Sequence, residues 1–130
     1  MLLCGFKIIQ ISDMKKIYYL STCDTCKRII NELNLPKDFT LQDIKTEPMT
    51  ESQIEAMRAL TDSYESLFSK RARLYKELGL KEKSLSEDDI KNYILEHYTF
   101  LKRPVIIFNN QIFIGNSKKT VEAAKLAIHE

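Results

Sequence analysis

The chain has 130 residues, 44% of them hydrophobic, which suits one domain with a real core and not two. Twenty Lys and Arg nearly balance eighteen Asp and Glu, and a formal net charge of +2 gives no reason to expect nucleic acid as a direct ligand. Three cysteines do not make the disulfide framework of a secreted miniprotein and fit a reducing cytosol; no apolar run approaches the roughly 20 residues that cross a bilayer. A cytoplasmic monomer without a membrane segment is expected.

Residues 1–13 (MLLCGFKIIQISD) are apolar but lack the basic n-region and small-residue cleavage site of a signal peptide. Either Ile8 to Ile11 form an added strand or a lid over an apolar groove, or the natural start is Met14 and the first thirteen residues are a poorly ordered extension. The second is the expectation, with a single domain over 14–130, and Cys4 is given no role.

Lys16-Ile17-Tyr18-Tyr19-Leu20 is short and rich in aromatic and β-branched residues, so it predicts a strand. After Ser21-Thr22-Cys23-Asp24-Thr25-Cys26-Lys27-Arg28, the apolar Ile29, Ile30, Leu33 and Leu35 recur among polar residues at helical spacing. The cysteines therefore fall where a strand turns into a helix. There the first N–H groups lack helical partners and carry the positive end of the helix dipole, which favours an anion such as a thiolate. A Cys so placed commonly has its pKa lowered from about 8.5 to roughly 3.5–7.5. Lys27 and Arg28 in the first turn would add to that pull. Cys26, about one turn above Cys23, is close enough to cross-link with it. One attacking and one resolving thiol is what dithiol–disulfide exchange needs, with Thr22, Asp24 and Thr25 beside them to meet a substrate. Zinc would require a second ligand pair, and Cys4, His97 and His129 do not form one at zinc spacing, so no metal is expected.

Leu35-Pro36-Lys37-Asp38 is a breaker cluster. Phe39 to Ile44 then alternates apolar and polar as a half-buried strand does, which completes a right-handed βαβ unit with parallel strands. The middle, about residues 50–98, predicts helices only. Thr50-Glu51-Ser52-Gln53 is a capping-box pattern ahead of Ile54, Met57 and Leu60. A second helix is expected over Tyr64 to Leu78, stopped by Gly79, and a third is opened by Ser86 with Glu87, Asp88 and Asp89 in its first turn. His97, at the end of that helix, suits a structural cap. Lys70, Arg71 and Arg73 form a small basic run, which is either a solvated face or an anion pocket. Arg103 to Phe108 predicts the third strand, Asn109-Asn110 a two-residue hairpin turn, Gln111 to Ile114 the fourth strand, and Ser117 the cap of a last helix. Pro104 at the head of a strand is either an edge device or a cis-proline.

The element order, Cys23-x-x-Cys26 after the first strand and Arg103-Pro104 before the third resemble the thioredoxin fold. This is an α/β fold, βαβ…ββα, with a mixed four-stranded sheet; here an all-helical insertion stands between the second and third strands. Within it, the insertion, Arg73-Leu74-Tyr75-Lys76-Glu77-Leu78-Gly79-Leu80 and Phe100-Leu101-Lys102-Arg103-Pro104 resemble the arsenate reductase-like ArsC/Spx family. The resemblance runs from about Met14 to the C-terminus. It implies a reactive Cys23, an oxyanion- or sulfur-binding Arg103, and a cis bond before Pro104 in the same site.

Arsenate reductases of this family that work with glutathione carry one reactive Cys and three arginines. Arg103 matches one of these, while the others fall on Ser69 and near Gly115, neither of which holds an oxyanion with a charged fork. Arg71 or Arg73 would have to reach in from another turn. The second cysteine resembles Spx, the redox-responsive regulator that binds RNA polymerase. The expectation is a thiol–disulfide reductase that binds no cofactor, acts on a thiol or disulfide substrate or a redox protein, and draws electrons from glutathione, thioredoxin or glutaredoxin. The alternatives are a redox-switched regulator with RNA polymerase as its partner, and an arsenate reductase.

Overall fold

A computed structural model describes residues 14–129, so the readings of residues 1–13 lie outside it. The elements run β1 (Lys15–Tyr19), α1 (Asp24–Leu33), β2 (Thr40–Asp43), α2 (Glu51–Ala59), α3 (Arg73–Glu77), α4 (Glu87–Glu96), β3 (Val105–Phe108), β4 (Gln111–Ile114) and α5 (Lys118–His129). The sheet order is β2-β1-β3-β4. β1 runs parallel to β2, with Lys16 opposite Thr40 and Tyr19 opposite Asp43, and antiparallel to β3, with Ile17 opposite Ile106; β3 and β4 form an antiparallel hairpin. This is a thioredoxin-like α/β fold whose helical insertion lies between β2 and β3.

Both faces of the central strands are covered, which is why Ile17-Tyr18 of β1 and Val105-Ile106-Ile107 of β3 are apolar in succession. Successive side chains point to opposite faces. Ile17 and Ile106 pack on one side with Ile29, Leu33, Val121 and Ala124 of α1 and α5. Tyr18, Val105 and Ile107 pack on the other with the insertion, through Ile54, Met57, Leu67, Phe68, Ile90, Ile94 and Phe100. Helix α1 ends where Asn34 takes a left-handed φ of 50°, just ahead of Leu35-Pro36. Asn109 supplies the left-handed residue of the β3–β4 turn at φ 58°, and the Ser117 hydroxyl accepts from the Thr120 N–H to cap α5.

In the insertion, Thr50 and Gln53 form the expected capping box of α2, and Ser86 and Asp89 form another on α4. Lys91 of α4 bridges Glu51 and Glu55 of α2 at 2.7 and 2.8 Å, tying the two helices side by side. His97 is the C-terminal cap residue of α4.

Two expectations fail. Tyr64 to Leu78 is not one helix. It is a 3-10 turn (Glu65–Leu67), an extended stretch, and the five-residue α3, ended by Gly79 at φ 64°. Ser63 and Ser66 bond locally to the backbone instead of supporting helix: Ser66 N–H donates to Ser63 Oγ, and Ser66 Oγ donates to the Ser63 carbonyl. The chain then pairs with the segment before β3, as Ser69 N–H donates to the Phe100 carbonyl and Lys102 N–H to the Leu67 carbonyl. That extended pairing turns Phe68 into the core. The second failure is the facing of β2. Leu41 is 45% exposed while Gln42 is 2% exposed, because β2 is an edge strand whose covered face lies under the insertion. Gln42 is accommodated there by a reciprocal amide pair with Gln53, at 3.1 and 2.9 Å, and by donating to the Glu47 carbonyl.

Candidate active site

The site begins where β1 gives way to α1. After Leu20 the chain makes a tight turn, closed by Cys23 N–H donating to the Leu20 carbonyl at 3.0 Å. Cys23 is the N-cap residue of α1, with extended φ and ψ, and its carbonyl accepts the first helical bond from Lys27 N–H. The residue is half-buried and lines a cleft. Cys26, in the first turn, is fully buried in the core that holds Leu20, Leu101 and the insertion. Both cysteines are free thiols.

This placement separates the two acidities. Partial burial pushes the Cys23 thiol up, but the Cys26 N–H and thiol, the Arg103 charge and the Thr25 N–H together bring it below its ordinary value. Those N–H groups are the unpaired donors of a helix start, acting as expected on an anion at the N-cap. Cys26 moves the other way: burial, opposed by the Leu20 backbone but joined by the neighbouring Cys23, pushes it up to about 11. At neutral pH the structure therefore holds an acidic thiol at the surface above a protonated thiol that can donate to it.

Arg103 lies beside the pair at the end of the insertion. It is half-buried, and its guanidinium is oriented by donating to the Thr99 and Leu101 carbonyls at 3.2 and 3.3 Å. The Arg103–Pro104 peptide bond is cis, and Pro104 is buried. Cys23 and Arg103 line one open cleft of about 750 Å³, whose walls also include Asp62, Ser63, Glu65, Ser66, Ser69, Lys70, Arg71, Lys102 and Gly115. Of the basic run, Arg71 lines the cleft and Lys70 does so while paired with Glu65 at 3.0 Å; Arg73 opens α3 and is not among the lining residues. Thr22 and Asp24 are exposed beside Cys23, outside the lining, and Thr25 serves through its backbone. Lys27 and Arg28 are exposed, Arg28 lying 3.8 Å from Glu32, so the cation acting on the thiol is Arg103. Ser69 and Gly115 both line the cleft.

Sequence reasoning missed the far wall, residues 62–66. The apolar spacing from Tyr64 onward reads as regular helix, and only the serine spacing could have flagged a turn there. Among the described residues no cluster of three or more His, Cys, Asp or Glu is arranged to hold a metal, and no helix is long and apolar enough to cross a membrane.

The domain is thioredoxin-like, with a Cys-x-x-Cys pair at the start of its first helix and an arginine ahead of a cis-proline. The model of the ArsC family matches residues 18–124, and the chain belongs to that family. The global transcriptional regulator Spx of Bacillus subtilis is 24% identical over 112 residues, 83% of this chain and 84% of that protein. Spx of Streptococcus pneumoniae is 23% identical over 112 residues, 85% and 84% of the two chains. An ArsC family related protein from Bacteroides fragilis superposes with a TM-score of 0.71 at 20% identity, covering 87% of this chain and 98% of its own. An arsenate reductase from Vibrio cholerae does so with a TM-score of 0.69 at 19% identity, covering 89% and 99%. At these identities the structural likeness concerns the fold.

Proposed function

We propose that the protein is a thiol–disulfide reductase in which Cys23 attacks and Cys26 resolves. The observation that carries this reading is the split between the two thiols: one acidic and lining the cleft, the other buried, raised to about 11 and close beside it. The Cys23 thiolate attacks a substrate disulfide, forming a Cys23–substrate mixed disulfide and releasing the other half as a thiolate, which takes up a proton. Cys26 then gives up its proton and attacks the Cys23 sulfur. This closes a Cys23–Cys26 disulfide and frees the second thiol, so the substrate gains two electrons and the protein loses two. A dithiol protein of thioredoxin or glutaredoxin type, or two molecules of glutathione, restores the reduced pair by the same exchange. Arg103 steadies negative charge on sulfur through the steps. The reaction suits the reducing cytoplasm that the cysteine usage indicates.

Substitution of Cys26 by Ser should leave attack intact and remove resolution, so mass spectrometry should find stable mixed disulfides on Cys23. Substitution of Cys23 by Ser should abolish exchange. Absence of any trapped adduct on Cys23, with Cys26→Ser folded, would remove this reading.

A redox-switched regulator is the second reading, favoured by curated relatives named global transcriptional regulators that align over 84% of their length. Here the Cys23–Cys26 disulfide would be the signal and RNA polymerase the partner. Binding of RNA polymerase by the oxidised but not the reduced protein, without catalytic turnover of disulfides, would favour it over the reductase.

A further inference from the structure

Asp43 stands at the C-terminal end of β2, opposite Tyr19 of β1, and takes no part in the chemistry described above. The residue is half-buried, and its carboxylate reaches across to the loop carrying the cysteines. Oδ1 accepts from the Ser21 N–H at 3.2 Å and from the Lys45 N–H at 3.2 Å, while Oδ2 accepts from Thr46 Oγ1 at 3.4 Å. Ile44 N–H donates to the Tyr19 carbonyl at 2.9 Å, so the parallel pairing of the two strands continues up to this point. The turn from Leu20 to Cys23 is thus held twice: within itself by Cys23 N–H on the Leu20 carbonyl, and from outside by Asp43 on Ser21.

We propose that Asp43 is a positioning residue for the nucleophile, whose carboxylate holds the Ser21-Thr22 turn and so keeps the Cys23 sulfur at the N-terminus of α1. The inference deepens the proposed thiol exchange and rests on that reading for its functional consequence. Its physical basis is that the help given by a helix start falls off within one turn, so a small displacement of Cys23 loses it. A second property makes the role distinguishable. A carboxylate near a thiol opposes formation of the thiolate through space, so a purely electrostatic Asp43 would raise the Cys23 pKa, and its removal would lower it. Positioning predicts the reverse sign, because removal lets the sulfur move away from the N–H groups that stabilise its anion.

The test measures the Cys23 thiol pKa from the pH dependence of thiolate absorbance and of alkylation rate. It is made in a Cys26→Ser background, comparing the parent with Asp43→Asn, Asp43→Ala and Asp43→Ser. Asp43→Asn keeps an oxygen acceptor for Ser21 N–H and should leave the pKa close to that of the parent. Asp43→Ala should raise it, slowing alkylation at neutral pH about threefold to tenfold, the share a helix N-terminus supplies. Asp43→Ser, whose oxygen stops short of Ser21, should fall between, and it replaces Asp43→Ala if that variant does not fold. A lowered pKa in Asp43→Asn and Asp43→Ala would show a charge effect and overturn the proposal. An unchanged pKa with a lowered melting temperature in Asp43→Ala, or in Asp43→Ser in its place, would show a merely structural role and overturn it as well. The proposed exchange is judged separately, by whether Cys23 forms mixed disulfides when Asp43 is intact.

Discussion

At the scale of residues, the site depends on which neighbours each sulfur has. The Cys26 thiol is one of the groups that lower the Cys23 pKa, so Cys26→Ala should raise that pKa and Cys26→Ser, which keeps a donor, should raise it less. Titration of thiolate absorbance reads both. In the wild type, alkylation of Cys23 should persist to lower pH than that of an ordinary cysteine, and should outrun that of Cys26 at neutral pH. Faster labelling of Cys26 would reverse the assigned roles. Arg103→Lys keeps a charge but lacks the planar guanidinium whose Nη1 donates to the Thr99 and Leu101 carbonyls while the rest of the fork stays free for an anion. Its disulfide turnover should drop, with the thiol pKa moving less than in Arg103→Met. The Cys-x-x-Cys pair was legible because its signal is local, a spacing at a strand-to-helix junction, whereas Arg103 came from the family resemblance of Phe100-Leu101-Lys102-Arg103-Pro104. Arg71 and Arg73 were not separable, since which of two nearby arginines meets the cleft depends on where α3 begins.

At the scale of elements, the strands and the capped helices could be read because each carries a period or a cap in its own residues. Thr50, Ser86 and Ser117 announce their helices by the same hydroxyl chemistry that the structure shows. The break between Leu67 and α3 was hidden, because its cause is pairing with residues some thirty positions away, Phe68 against Leu101. The inward turn of Gln42 was hidden for the same kind of reason: its partner, Gln53, belongs to another element. Gly79 tests how much one turn matters. It adopts φ 64°, and a Cβ there would meet nothing within 4 Å, so Gly79→Ala involves no clash and only the backbone penalty. Urea denaturation should show a loss of about 1–2 kcal/mol. A loss several times larger would mean that α3 is displaced as well.

At the scale of the whole molecule, two predictions concern the balance of charge. Burial raises Tyr18 to about 12 and Cys26 to about 11, from ordinary values of 10.0 and 9.0. A group whose folded pKa is raised supports the fold below its unfolded value and loses that support as pH rises through the folded one. Stability from these two groups should therefore be complete below pH 9 and decline from pH 9 to about 12, as denaturation at a series of alkaline pH values would show. The second prediction concerns arsenate. The family resemblance implies arginines at Ser69 and near Gly115, both of which line the cleft, and losing one aligned donor to a developing charge typically costs about 10²–10³ in rate. Weak oxyanion binding without turnover is expected, and Ser69→Arg should raise arsenate affinity more than any thiol-exchange rate. Robust arsenate reduction by the wild type would show that Arg71 or a lysine serves instead.

Helix α1 has side chains in both halves of the core: Cys26 packs with the insertion, while Ile29 and Leu33 pack on the opposite side of the sheet. The sulfur that would change partners on oxidation is therefore also a packing atom of the insertion. Reciprocity follows. If closing the Cys23–Cys26 bond strains or relieves contacts around Cys26, truncating those contacts must shift the reduction potential by the same free energy, about 30 mV for each 1.4 kcal/mol of difference between the two redox states. Leu67→Ala or Ile94→Ala, in the same core cluster as Cys26, should move the midpoint in a glutathione redox titration, whereas Ile128→Ala in the other cluster should not. Under the proposed exchange, the insertion would then be the element that tunes how readily the Cys23–Cys26 pair is oxidised.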